Sequence, residues 1–398
     1  MNRDTKKLAK QKRLSLLHKR HAERCATSLE PFGLAEWFRS LSSEIKELLW
    51  NECIAEPIIV INGSAPATCD LLRNAVQDVL RTSTVDVCGI PISQAEIWTV
   101  LLPLLCGCSS AGATDPNRPL ASLSKTAAAA CNDHYLVISE QAMEQLSFDL
   151  FVVSLSHTRM DRHIVSYSID ITTCLAGKQA LRITLDVLLC QPTDVQVDGS
   201  SRRAFRCVGP GIKQSHRWVT WPAAVVGTHR PATEYPVYIQ QHAIDRLNER
   251  LPAQSGGVHY SLFCSLNRPV IIDRQGDDLL VEYRLLDKYR LGYLAAQQLP
   301  DKILVKTFLF LTMHGTPEAR QLRQRVKLCR PDIEYQGLDK LETYAFTDLR
   351  QDTDLVRIMT ECGCGSLLDV LATLQIDDHQ LPPGYARVLK DYLCLPKG

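Results

Sequence analysis

His242, Arg246 and Arg250 are the residues of this chain best suited to act on a phosphodiester. An α-helix turns once in about 3.6 residues, so side chains four apart share a face. One imidazole that titrates near neutrality and two permanent cations on that face could grip a phosphate and move a proton. The same residues also fit two plainer roles, nucleic-acid binding without cleavage and a solvated helix face. Asp245 and Glu249 interleave with the arginines and could pair with neighbouring cations.

A second group lies on or beside predicted strands. Arg284, Lys288, Arg290 and Lys306 could contact phosphate, and Tyr283 and Tyr289 could stack bases or shuttle protons. Lys306 interrupts an apolar run, so it needs a partner or a route to water, because burying an unpaired ammonium costs several kcal/mol. His157, Arg159, Asp161 and His163 recur at every second position and would share a face on a straight strand. The polar density around them favours a hairpin tip. Cys106-x-Cys108 and Cys362-Gly-Cys364 each bring two thiols together, but zinc normally takes four ligands, and no histidine partners stand nearby in sequence. No metal or other cofactor is expected. Asn62-Gly63-Ser64 joins a strand to a helix, a place where backbone N–H groups meet anions, yet it lacks both glycine-rich phosphate signatures and reads as an ordinary turn.

The elements that position the first group are legible. The run 235–240 is strand-like and leads into a helix over 241–251, then a second helix over 258–266. Strands at 269–273 and 279–284 flank a hairpin turn at 274–278, and strands at 290–295 and 303–311 flank Leu299-Pro300-Asp301. The last strand is apolar on both faces and belongs in the middle of a sheet. After Thr316-Pro317 the chain turns helical and basic, with Arg320, Arg323, Arg325, Lys327 and Arg330; residues 331–379 then reverse sign with eleven Asp and Glu. That acidic stretch either solvates a helical subdomain or covers a basic groove as an internal inhibitor.

An extended run into His242-Ala-x-x-Arg246-Leu-x-x-Arg250, then a helix and a curved antiparallel sheet, resembles the RelE/BrnT-like group of small bacterial ribonuclease toxins over residues 235–311. The resemblance implies a compact α+β fold that holds RNA on its sheet and cleaves it without metal, the 2′-OH attacking the adjacent phosphorus. It implies proton transfer by His242 and phosphate contacts by Arg246 and Arg250, in a toxin or anti-phage defence setting. RNA is then the expected partner, with an inhibitory or effector protein as a second.

Upstream, residues 1–25 are strongly basic and read as a surface helix or a nucleic-acid-attracting arm. The run 57–62 reads as a buried strand, 69–81 as a helix, 84–89 as a second strand and 93–106 as a helix, an order that suggests an α/β unit. Residues 107–119 read as a loop, 121–130 as an Ala-rich helix, and 135–138 and 150–155 as strands. Strand-like runs at 164–171, 181–189 and 204–208 suggest an antiparallel sheet, with linkers at 209–211 and 226–234.

The net charge of +1 excludes a globally polycationic chain but not a local patch. Fifteen scattered cysteines and no apolar segment after the basic N-terminus point to reduced thiols and a cytoplasmic location, and no run is long enough for a membrane span. The expected architecture is α+β: a basic extension over 1–30, an α/β-to-antiparallel-sheet domain over 31–231, a small RelE-like domain over 232–330 and an acidic helical extension over 331–398. The expected function is metal-independent endoribonuclease, and the rival is a non-catalytic nucleic-acid-binding or protein-interaction scaffold.

Overall fold

Hydrophobic periodicity sorts this chain into helices and strands that gather around two cores. The computed structural model describes residues 16, 19–20, 22–46, 56–63, 66–105, 125–173, 179–210, 216–227, 233–251, 255–373 and 384–393. One unit comprises residues 1–153, 166–187 and 212–214, and the other residues 154–165, 188–211 and 215–398. Among the described residues no helix is long and apolar enough to cross a membrane.

In the first unit a helix over 22–28 and the turn after it bury Cys25, Ala26 and Leu29, so this part of the basic extension is packed rather than a free arm. α1 (Ala35–Ser40), β1 (Ile58–Asn62), α2 (Pro66–Thr82), β2 (Thr84–Val87) and β3 (Ile90–Ser93) follow. The strand-helix-strand order suggests an α/β unit, whose successive strands are commonly parallel neighbours. β1 instead lies parallel to a much later strand, with Ile58 opposite Arg182. The reason lies in Cys88 and Gly89, whose φ values of 53° and 84° make a left-handed two-residue turn. Such a turn matches the twist of a hairpin and folds β2 directly back on β3.

A second correction concerns residues 135–138 and 150–155, expected as strands. Both belong to one helix, α3 (Lys125–His157). Its buried residues Ile138, Ala142, Leu146, Leu150 and Val153 recur at intervals of four and three, a helical stripe; four apolar residues in a row cannot by themselves distinguish helix from strand. The 107–119 loop lies outside the described residues. β4 (His163–Thr173) and β5 (Gln179–Leu189) complete a three-stranded sheet in the order β1-β5-β4.

The second unit is built on an eight-stranded mixed sheet. β6 (Pro192–Val197) and β7 (Ser200–Arg206) form a hairpin across Asp198 and Gly199, both at positive φ. β8 (Val208–Pro210) pairs with β9 (His216–Trp218), and β10 (Thr220–Pro222) pairs with β11 (Glu234–Gln240). Next come α4 (Gln241–Arg250), α5 (Ser255–Asn267), β12 (Ile271–Gln275), β13 (Asp278–Leu285), β14 (Tyr289–Gln298) and β15 (Ile303–Phe310). The strand order is β12-β13-β14-β15-β11-β7-β6, with β10 beside β11. A boundary at residue 232 would cut this sheet, because β7 hydrogen-bonds to β11 with Phe205 opposite Ile239. The expected central strand is β15, antiparallel to β14 and parallel to β11.

α4 packs on β15, and α5 on β13. Ala243, Ile244, Leu247 and Arg250 form the buried side of α4. The helical extension follows as α6 (Pro317–Val326), α7 (Arg330–Tyr335), α8 (Leu341–Phe346), α9 (Thr353–Glu361), α10 (Ser366–Thr373) and α11 (Tyr385–Tyr392). Thr316 caps α6 by accepting a hydrogen bond from the Ala319 N–H at 3.1 Å, ahead of Pro317 at the first helical position. These helices share the sheet's core rather than forming a separate one: Phe310 of β15 meets Tyr344 of α8 at a ring distance of 6.1 Å.

Candidate nucleic-acid interface

The shared helix face expected for His242, Arg246 and Arg250 turns with the helix. Each step of four residues advances about 40° beyond a full turn, so two steps carry Arg250 about 80° around from His242. His242 is exposed, Arg246 half-buried and Arg250 buried. Arg246 donates to Glu249 at 2.6 Å. Arg250 donates from Nη1 to the Phe308 carbonyl at 2.5 Å, and its Nε stands 3.7 Å from Asp339 Oδ2. Burial pushes the Asp339 carboxyl above its ordinary range, against the pull of Arg250. Arg250 is therefore a structural cation that ties α4 to β15 and to the segment after α7.

The sheet-borne cations are also engaged. Arg284 donates to Glu282 Oε2 at 2.8 Å through Nε. Arg290 bridges Glu282 at 3.2 Å and Glu318 at 3.0 Å, and the Tyr293 hydroxyl donates to Glu318 Oε1 at 2.8 Å. Glu282 and Glu318 are buried, and buried carboxylates need such partners. Lys306 pairs with Asp278 at 2.7 Å, one of the two outcomes its sequence context allowed. Tyr283 is fully buried and donates to the Val258 carbonyl at 3.1 Å, so its ring belongs to the core and stacks no base. Tyr289 is buried beneath the ammonium of exposed Lys288, 4.7 Å from the ring centroid.

The alternating residues at 157–163 form a turn, closed by a bridge between Arg159 and His163. Arg159 grips Asp161 through two hydrogen bonds, at 3.1 and 2.9 Å. Behind the turn, buried His259 accepts the Met160 N–H on Nδ1 at 2.6 Å. Burial lowers that imidazole's pKa to about 4. Among the described residues no group of His, Cys, Asp and Glu is placed to hold a metal. Cys362 and Cys364 are buried thiols, and Cys106 and Cys108 lie outside the described residues. Gly63 has φ +80° and leaves no room for a side chain beside the Val187 carbonyl, which accounts for the glycine as a turn residue.

An open cationic surface lies elsewhere in the same unit. His314, Gly315, Ala319, Arg320, Arg323, Leu328, Cys329, Arg330 and Ile333 line a shallow depression of about 40 Å³. Its floor is apolar, with Ala319, Leu328 and Ile333 buried. Its rim is cationic: Arg320 and Arg323 are exposed neighbours one helical turn apart on α6. Arg325 and Arg330 of the same basic run have carboxylate partners in Glu361 and Glu334, at 3.3 and 2.8 Å. Among the described residues, neither Arg320 nor Arg323 makes a salt bridge. Glu334 connects this depression to α4: Arg330 holds its carboxyl below the ordinary range by a hydrogen bond, and Arg250 and Arg246 add to the pull.

Sequence reading counted Arg320, Arg323 and Arg330 in a basic run without assigning them a site, and it passed over His314. The available signal was the stretch 319–331, which holds five cations and no acid. Two unpaired guanidinium groups one helical turn apart can take a phosphate on the rim. The chain matches no protein family, no curated protein and no solved structure with which it was compared.

Proposed function

We propose that this protein binds RNA through the depression rimmed by Arg320, Arg323, Arg330 and His314. The observation that carries this reading is the pair of exposed, unbridged guanidinium groups on α6, in a unit where Arg246, Arg284 and Arg290 are matched to carboxylates. Phosphates sit on the arginines, and an unstacked base lies across the mouth of the depression. Single-stranded RNA suits this arrangement better than a duplex, whose bases are not free to turn into a depression. Cleavage is not part of the proposal, because α4 turns His242 and Arg250 apart.

The test is fluorescence anisotropy with a labelled single-stranded RNA across a salt series. Binding should weaken as salt rises, with a slope in log Kd that grows by about 0.7 for each phosphate neutralised. The double variant R320E/R323E should lose at least about tenfold in affinity and flatten the slope by more than one phosphate's share. Unchanged affinity in that variant, or no binding at low salt, overturns the reading. The same RNA, incubated in EDTA and checked for 2′,3′-cyclic phosphate ends lost in H242A, reports on cleavage separately.

A further inference from the structure

Two cysteines with no part in RNA binding stand at the open end of the β6–β7 hairpin. In that ladder Thr193 faces Ala204 and Pro192 faces Phe205. The ladder ends there; extended by two residues, its register sets Cys190 opposite Cys207. The backbone shows which kind of pair this is. Cys207 sends its N–H to the Val237 carbonyl at 2.8 Å, and its own carbonyl accepts the Val219 N–H at 3.0 Å. Cys190 donates its N–H to the Arg162 carbonyl at 2.8 Å. Neither uses its backbone on the other, as at a non-hydrogen-bonded position of the extended ladder. Pro192, with no N–H to give, occupies the equivalent position two residues on.

Opposed residues at such positions lie about 4.5 Å apart between Cα atoms, inside the roughly 4.4–6.8 Å that a disulfide spans. Cys207 is buried in the core of the unit, and Cys190 packs partly buried against that core. The thiols also feel one another: burial raises the Cys207 thiol, and Cys190 adds to that rise. Burial pushes Cys190 up to about 12, so both are protonated in the reduced fold and exchange is slow.

We propose that Cys190 and Cys207 are a paired modification site, which a small disulfide oxidant such as oxidised glutathione converts into a cross-strand disulfide. Cys190, the more exposed, gives up its proton and attacks one sulfur of the oxidant, forming a mixed disulfide and releasing one glutathione thiolate. Cys207 loses its proton and attacks the Cys190 sulfur, releasing the second. Two protein S–H bonds are replaced by one S–S bond, the oxidant's S–S bond is reduced to two thiols, and the two protons end on the two glutathione molecules. The bond closes residues 190–207 into a covalent ring at the edge of the sheet.

The test uses the full chain, held in oxidised or reduced glutathione, alkylated in denaturant and cut with trypsin. Trypsin leaves Cys190 in peptide 183–202 and Cys207 in peptide 207–213, so a linked species reports this one bond. The expected result is that linked peptide after oxidation, with a thermal midpoint raised by a few degrees and restored by dithiothreitol. C190S should show neither while matching the reduced midpoint of the parent. Recovery of both peptides as alkylated thiols after prolonged oxidation overturns the proposal, as does Cys190 joined to any other cysteine. The linked-peptide readout needs no variant, so misfolding of a Cys207 substitution does not bear on it.

Discussion

Arg250 and Asp339 hold each other inside the second unit, with 5% and 8% of the two side chains exposed. The arginine comes from α4 and the aspartate from the acidic stretch that follows α7, so part of that stretch neutralises a cation built into the core. Asp339→Ala leaves the guanidinium buried and uncompensated, and should cost about 3 kcal/mol or more by urea denaturation. Replacing both together, Arg250→Met with Asp339→Leu, should cost much less and leave RNA affinity unchanged. A single-variant loss below about 1 kcal/mol would show that the pair is not held.

His259 sets a pH dependence. The folded chain keeps its imidazole neutral down to about 4, whereas the unfolded chain protonates near 6.5. Between those values the unfolded state binds more protons, so stability falls as pH drops from about 6.5 to about 4 and this contribution levels off below. The full window is worth about 3 kcal/mol. His259→Asn keeps an acceptor for the Met160 N–H and removes the titration. Urea midpoints measured across this range should separate the two proteins near pH 4 to 5, and parallel curves would refute the assignment.

Two adjacent glycines in the first turn of α5 should respond oppositely. A Cβ on Gly256 would fall 1.3 Å from the Leu155 carbonyl oxygen, whereas one on Gly257 meets nothing within 4 Å. Gly256→Ala should destabilise by several kcal/mol or prevent folding, because the obstacle is backbone. Gly257→Ala should be neutral or stabilising by up to about 1 kcal/mol, the usual gain of alanine over glycine in a helix. Thermal melts of the two variants decide it.

Lys306 offers a control for the position of the interface. Its partner Asp278 is 61% exposed, so the ion pair contributes little. Lys306→Gln should change stability by less than about 1 kcal/mol and leave RNA affinity as it was. A tenfold loss of affinity in the anisotropy assay would move the interface from α6 to the sheet.

Strong local signals carried the sequence reading; apart from the Cys88–Gly89 turn and the short apolar runs inside α3, its errors fell where distant partners decide. The α4 helix, the β12–β13 hairpin and the central place of β15 follow from periodicity and turn residues. The roles of Arg250 and Glu318 do not, because nothing near Arg250 in sequence announces Asp339, and nothing near Glu318 announces Arg290. The tyrosines misled for a related reason: Tyr283 looks like a surface ring until Phe308 closes over it, 5.2 Å away between centroids. Arg320 and Arg323 were visible as charge, but which arginines would find carboxylates depended on how the later helices fold back.

The place of β11 has a consequence for synthesis. It lies between β7, which precedes it in the chain, and β15, which follows some sixty residues later and runs parallel to it. Until Ile303–Phe310 has left the ribosome, one side of Glu234–Gln240 has no strand to bond with, and Tyr235, Val237 and Ile239 lack part of their cover. A nascent chain halted near residue 300 therefore holds a half-built sheet whose unpaired margin invites association with other chains.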